Sequence, residues 1–574
     1  MKFNYLKKAI SLAMAVSMTA AIFAGCGSQN STDNSAASTQ SSASLSAGNS
    51  NANKDPLGKY EPGIDISFVR GIDDDLASNV LQKTPGETIE DNRWIKLISE
   101  KLGLNVKYAW TVKGSETSDA FKQKINVTLA SGDLPDVVTV NPSQLKQLVD
   151  SDMVEDMTQY YNDYASTIIK KYMTEEGTAN IDSVTYGGKI MAIPEPVSFN
   201  EAAQYIWIRN DWLKKLNLQP PKTMDDVLKI AEAFTTQDPD GNGKQDSYGL
   251  PITKDLYNGC MGTEGFFAGY HAYPNMWVKD SSGKLAWGST LPETKVALEK
   301  LANMYKNGQI DKEFGVKDAG KVAELVASGK YGIDYGQQWN PMYPLISNFN
   351  NDNNADWVGY PLVSVDDQKV MVPLRFNQQR IFAVKKGFKH PEALVKMFNL
   401  YAEMQATADS FNKYFMPPEN DNAGVWKFSP VCPGPPFNNL NTFEELEKAR
   451  KNNDFSKLER DPLSVNKSLE GYAKGDKLQW GWEKIYGKEG VFRNMLAYKN
   501  NDQLLKESFV GAPTATMAEK KTTLDKLEKE VFVKIIMGSA PISDFDKFVS
   551  DWNKLGGADM TKEVNEWYDS VKSK

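Results

Sequence analysis

The sequence is poor in the residues on which metal and nucleophilic chemistry is most often built. Its 574 residues include three cysteines and two histidines. From His271 and His390 alone, no Cys/His metal cluster and no Ser-His-Asp arrangement can be drawn. No Walker A motif and no dinucleotide-binding glycine pattern occurs. Cys260 and Cys432 could pair in an oxidising compartment or stay as two buried thiols, and their spacing does not decide between these. Positive charge is also scarce: 66 Lys and Arg stand against 74 Asp and Glu, for a net charge of −8. That balance argues against nucleic acid and against a broad basic membrane patch. The apolar run at residues 9–24 falls short of the roughly 20 residues that a comfortable transmembrane helix needs.

That run does have the layout of an export signal. Lys2, Lys7 and Lys8 form a charged head without acids, an Ala/Ile/Leu/Val-rich body follows, and Phe23-Ala24-Gly25 precedes Cys26. Small residues before a cysteine match the lipobox of bacterial lipoproteins, so residues 1–25 are expected to be a signal peptide and Cys26 the lipidated (palmitate-bearing) N-terminus. Residues 27–54 then contain nine serines and a single large aliphatic, Leu45. Such a stretch cannot bury enough apolar surface to offset its ordering entropy. Residues 26–57 are therefore expected to be a flexible tether, with a reach of roughly 30 Å. Multiple acyl chains give stable anchoring. Loss of the three signal lysines leaves a mature charge of about −11.

The chain beyond residue 57 is too long for one core, so at least two lobes are expected. Strand-like runs alternate with amphipathic helices. Residues 64–70 (IDISFVR), 105–110 and 136–140 (DVVTV) read as strands, and 88–104 and 118–131 as the helices between them. This β-α-β order implies a parallel sheet in an α/β lobe. Further helices are expected at 224–235, 294–307, 391–408, 517–537 and 543–555, with strands at 330–335 and 381–384.

Residues 238–246 (DPDGNGKQD) place oxygen donors at alternate positions. Asp238, Asp240 and Asn242 take loop positions 1, 3 and 5, Gly243 the sharp turn, Lys244 a backbone carbonyl, and Asp246 position 9. This is the first three-quarters of a calcium loop, with Gly249 where the bidentate acid normally stands. A structural calcium ion is expected there, the alternative being a metal-free Gly/Asp turn.

The aromatic residues point to a ligand. Sugars stack their C–H faces on rings, and their hydroxyls need planar polar partners. The candidates are Trp277, Trp339, Asn340, Arg375, Trp480 and Trp482, with Asn377 and Arg380 beside them. For each tryptophan the competing role is core packing. An enzyme with a carboxylate pair, for which Glu195 and Asp334 are the candidates, is the rival class.

Taken in order, several fragments resemble family 1 extracellular solute-binding proteins, the lipoprotein branch serving carbohydrate ABC importers. They include GETIEDNRW at 86–94, LASGDLPDV at 129–137, IWIRNDWLKKLNL at 206–218 and YPNMW at 273–277. NGQIDKEF at 307–314, GAPTAT at 511–516, FVKIIMG at 532–538 and EVNEWY at 563–568 continue the series. The resemblance implies a type II periplasmic-binding-protein-like α/β fold, two-lobed and hinged, with the ligand cleft between the lobes. It places lobe 1 at about 58–195 plus parts after 385, and lobe 2 at about 196–384 plus later segments. It also implies a monomeric, non-enzymatic receptor on the outer face of the cell membrane that hands carbohydrate to ABC permease subunits. In the similar alginate-binding proteins, a loop like 238–246 holds structural calcium. A sensor lobe presenting ligand to a membrane kinase, or a binder of peptides, would use the same scaffold.

Overall fold

The structure is a computed structural model that describes residues 54–572, apart from 379, 421 and 422. The export signal, Cys26 and the tether up to residue 53 lie outside the described residues. Among the described residues, no helix is long and apolar enough to cross a membrane.

The chain opens as its hydrophobic pattern dictates. Strand Ile64–Ile72 pairs in parallel with Leu104–Lys113, joined by helix Arg93–Leu102. Asn92 starts that helix, its side chain accepting from the N–H groups of Trp94 and Ile95, and Gly103 ends it at φ 67°. The hydrophobic spacing predicts this helix from residue 88. Instead, residues 88–91 form a turn leading into the cap, because Asn92 adopts an extended conformation (φ −148°, ψ 174°) that no helix can pass through. The next helix, Asp119–Ser131, is capped by Ser118 and stopped by Gly132. Strand Val137–Val140 follows, with all four residues buried.

Strand Ile381–Val384 arrives from much later in the chain. It lies antiparallel between Val137–Val140 and Ile193–Pro194. A second sheet has Tyr205–Arg209 at its centre, flanked antiparallel by Ile333–Gly336 and Trp357–Tyr360. Helix Met224–Thr236, with a capping box from Thr223 and Asp226, packs beside it. The helix expected over 391–408 is two: Glu392–Met404, then Ala408–Tyr414. The extended Thr407 (φ −118°, ψ 150°) breaks the run by capping the second.

Buried side chains fall into two hydrophobic cores. The first takes residues up to Ile193 and again from Ile381 to Cys432; the second takes Phe199 to Phe376 and then Phe437 onward, with Ala179 as an outlier. The strand 381–384 thus groups with the first core, whereas the resemblance implies the second lobe for it. The chain passes between the cores three times: after Ile193, after Phe376 and after Cys432. Pro194 and Pro196 lie in the first passage, and Pro433, Pro435 and Pro436 in the third. The first two passages are strapped together. Glu195 N–H donates to the Arg380 carbonyl at 2.9 Å, Gln378 Nε2 to the Glu195 carbonyl at 2.9 Å, and Arg380 Nη1 pairs with Glu195 Oε2 at 2.8 Å.

Candidate functional site

Between the cores lies a cleft of about 370 Å³, lined by Lys122, Asn141 and Ser143 on one side and by Trp277, Arg375 and Glu507 on the other. Its aromatic wall follows from local pairing. Strand Trp277–Lys279 runs antiparallel to Leu285–Trp287, which sets Trp277 opposite Trp287 with ring centroids 5.3 Å apart. Trp287 Nε1 donates to Glu528 Oε2 at 3.0 Å, and Tyr257 donates its hydroxyl to Glu528 Oε1 at 2.9 Å. Burial raises the Glu528 carboxyl above the usual range. Glu507 accepts from the N–H groups of Phe376 (3.0 Å) and Trp277 (3.3 Å), fixing the second passage to the aromatic wall. Burial raises Glu507 too, against the pull of Arg375.

Arg375 stands in the wall between this cleft and a second hollow of about 240 Å³, also lined by Gln204, Asn258, Glu264 and Gln337. With its amide turned so that the oxygen faces the guanidinium, Asn275 accepts from Arg375 Nη2 at 2.8 Å. Burial pushes the Glu264 carboxyl up to about 7, with Arg375 opposing the rise.

The structure brings some of the sequence candidates together and scatters others. Trp277 and Arg375 share the cleft. Trp339 sits one step behind the second hollow, its Nε1 donating to Gln337 Oε1 at 2.6 Å. Asn377 lines that hollow. Asn340 is in the core and not in the cleft, because its amide donates to buried Asp334 at 2.9 Å. Trp480 is also core: 1% exposed and stacked on Phe349 at 4.8 Å. Trp482 stacks on Tyr486 at 5.8 Å and lines neither cavity. Glu195 and Asp334, the imagined carboxylate pair, are engaged separately. Glu195 pairs with Arg380, whereas Asp334 accepts from Met261 N–H at 2.9 Å and from Asn340. Glu507, Glu528, Gln204 and Glu264 were missed by sequence reading. They occupy ordinary helical and loop strings, and only the tertiary fold brings Glu507 to the cleft, Gln204 and Glu264 to the second hollow, and Glu528 behind the aromatic wall.

In the 238–246 loop, Asp238 accepts from the N–H groups of Gly241, Asn242 and Gly243, each at 3.0 Å. Asn242 donates to Asp240 at 2.7 Å and to Asp246 at 3.0 Å. Asp246 also pairs with Lys330. Asp240 is raised by burial and then by its contact with Asp238, whereas loop N–H groups hold Asp238 low despite desolvation. Two carboxylates so close repel, and a divalent cation would relieve that; to this extent the residues fit calcium. Among the described residues, however, no three His, Cys, Asp or Glu side chains are gathered into a metal-holding set. Asp246 is engaged by Lys330, and Gly249 supplies no carboxylate. Cys260 and Cys432 are free thiols, one buried and one half-buried.

Comparison with known proteins gives these features a context. The profile of the bacterial extracellular solute-binding proteins matches residues 84–408. The polygalacturonan/rhamnogalacturonan-binding protein YtcQ of Bacillus subtilis is 26% identical over 492 residues, spanning 84% of this chain and 89% of YtcQ. Lipoprotein LipO of the same organism is 24% identical over 491 residues, spanning 83% and 89%. The fold matches the structure of an EF-hand mutant of the S. pneumoniae ABC-transporter substrate binding protein FusA in complex with fructo-nystose. That match has a TM-score of 0.57 at 16% identity and covers 89% of this chain and all of the other.

Proposed function

The chain belongs to the bacterial extracellular solute-binding proteins, and from that premise we propose that it captures an oligosaccharide outside the cell and delivers it unaltered to an ABC importer. The observation that carries this reading is the cleft between the two cores. An indole pair, Trp277 and Trp287, packed in the second core, borders it with 2% and 4% of its surface exposed, beside a guanidinium and a carboxylate, Arg375 and Glu507. The exposed margins of these rings offer apolar contact to the C–H groups of a sugar, and fixed polar groups match its hydroxyls. The sugar-binding names of YtcQ and FusA support the same class. Closure of two lobes about the passages would bury the ligand, and the closed form is what a permease reads.

The rest of the reading concerns placement. Cys26 carries the lipid, residues 26–57 tether the domain at the outer face of the cell membrane, and the receptor acts as a monomer. The two lobes follow the two cores. Calcium is held by Asp238, Asp240, Asn242, the Lys244 carbonyl and Asp246, and it braces the loop structurally; LipO's name and the EF-hand of FusA support these two parts. The test is a thermal-shift screen of the full-length chain against neutral and acidic oligosaccharides and short peptides. A ligand at 100 times its Kd stabilises by about 2.7 kcal/mol. Stabilisation by a glycan recovered intact is the expected result. Stabilisation by peptides alone, or cleavage of the glycan, overturns the reading.

A further inference from the structure

Residues lining the second hollow carry buried polar atoms that the protein leaves without partners. Gln204, 2% exposed, has no partner for Oε1, and Glu264, 9% exposed, has none for Oε2. Arg375 Nε is likewise buried and unpartnered. Gln337 Oε1, on the same wall, already accepts from Trp339. Leaving such groups unmet costs about 1–3 kcal/mol each, so a cluster around one cavity marks a place where something supplies the missing bonds. With Glu264 ionised, two of the three atoms are acceptors, so an occupant that meets them brings donors.

We propose that this hollow is an end subsite that takes one uncharged, hydroxyl-bearing sugar ring, whose hydroxyls donate to Gln204 and Glu264 and accept from Arg375, and that it rejects a ring bearing a carboxylate. The proposal rests on the carbohydrate reading above and sharpens it. With Glu264 ionised, a uronate placed here would set its oxygens against two acceptors, one of them an acid. An uncharged ring satisfies all three atoms. The rest of an oligosaccharide would lie in the aromatic cleft, on the other side of Arg375.

Protonation gives a signature. Glu264 is faced by Arg375, Tyr257 and Cys260, and its carboxyl lies near 7. Hydroxyl donors favour its ionised form, so an uncharged ring expels a proton on binding at pH 7. A carboxylate in the hollow would do the reverse.

The experiment is isothermal titration of the full-length chain with fructo-nystose, maltotriose and trigalacturonate, in two buffers of different ionisation enthalpy at pH 7. At least one neutral glycan is expected to bind with proton release. Glu264→Gln should abolish the release, and Glu264→Gln and Gln204→Leu should each weaken binding about tenfold. The proposal is overturned if a glycan binds but both variants change its affinity less than twofold, or if binding takes up a proton. Should Glu264→Gln fail to fold, Gln204→Leu and the wild-type proton count decide. If none of the three glycans binds the wild type, the carbohydrate reading has failed and this proposal with it, a result distinct from insensitive variants.

Discussion

Asp334 offers a sharp test of how the second core is built. It lies on strand Ile333–Gly336, fully buried, and burial pushes its carboxyl from 3.8 up to about 7 despite donors from Asn340 and the Met261 and Tyr335 N–H groups. The unfolded chain ionises this group near 3.8 and the folded chain near 7, so between those values the folded state holds a proton that the unfolded state has released. Stability therefore falls as pH rises through that window and is flat on either side. At 1.36 kcal/mol per pH unit, the penalty at pH 7.5 is about 4 kcal/mol. Asp334→Asn removes it. The new amide oxygen keeps the Met261 N–H bond, and its NH₂ can donate to Asn340 Oδ1, now a buried oxygen without a partner, once Asn340 turns. Urea unfolding of wild type and variant at pH 4, 6 and 7.5 measures the difference. Glu264, also raised, is common to both proteins and cancels. The variant should match wild type near pH 4 and exceed it by about 4 kcal/mol at pH 7.5. A difference independent of pH, or a variant weaker at pH 7.5, refutes the account.

Trp480→Ala should cost about 3–5 kcal/mol in denaturant unfolding while the surviving folded protein binds glycan unchanged, since the ring packs on Phe349. Arg375→Gln should weaken glycan binding by about 1.5–3 kcal/mol in calorimetry, because Arg375 borders both cavities. Added calcium should raise the melting temperature and EDTA lower it, and Asp240→Asn should blunt both shifts; indifference to both additions removes the metal site. Cys26→Ser should release the protein into the medium still able to bind, and retention in the membrane fraction would show that the lipid assignment is mistaken.

Much of the fold could be read locally. The parallel pair Ile64–Ile72 and Leu104–Lys113, the caps at Ser118 and Gly132, and the strand Ile381–Val384 all follow from periodicity and from residues within one turn of each other. Boundaries were missed where a polar residue switched role, as at Asn92 and Thr407, whose side chains cap instead of lying inside a helix. The site was much less legible. Trp277 and Arg375 stand out as residue types, but the same logic promoted Trp480 and Asn340, because composition cannot separate a buried ring from one that borders a cleft. Glu264 and Gln204 are 60 residues apart in the sequence and meet only through the tertiary fold.

The proline-rich passages bear on how a two-core chain can move at all. Each proline removes one φ rotation from the connecting strands, and the Glu195–Arg380–Gln378 bonds tie the first passage to the second. Three side-by-side connections, the first and third stiffened by proline and the second strapped to the first, leave few torsions to absorb a rotation and confine it to one narrow track, as a piano hinge does for a lid. Chain that is already stiff has little disorder to lose when the cleft shuts. Contacts made with the ligand then go into holding the shut position, with little spent on ordering the joint.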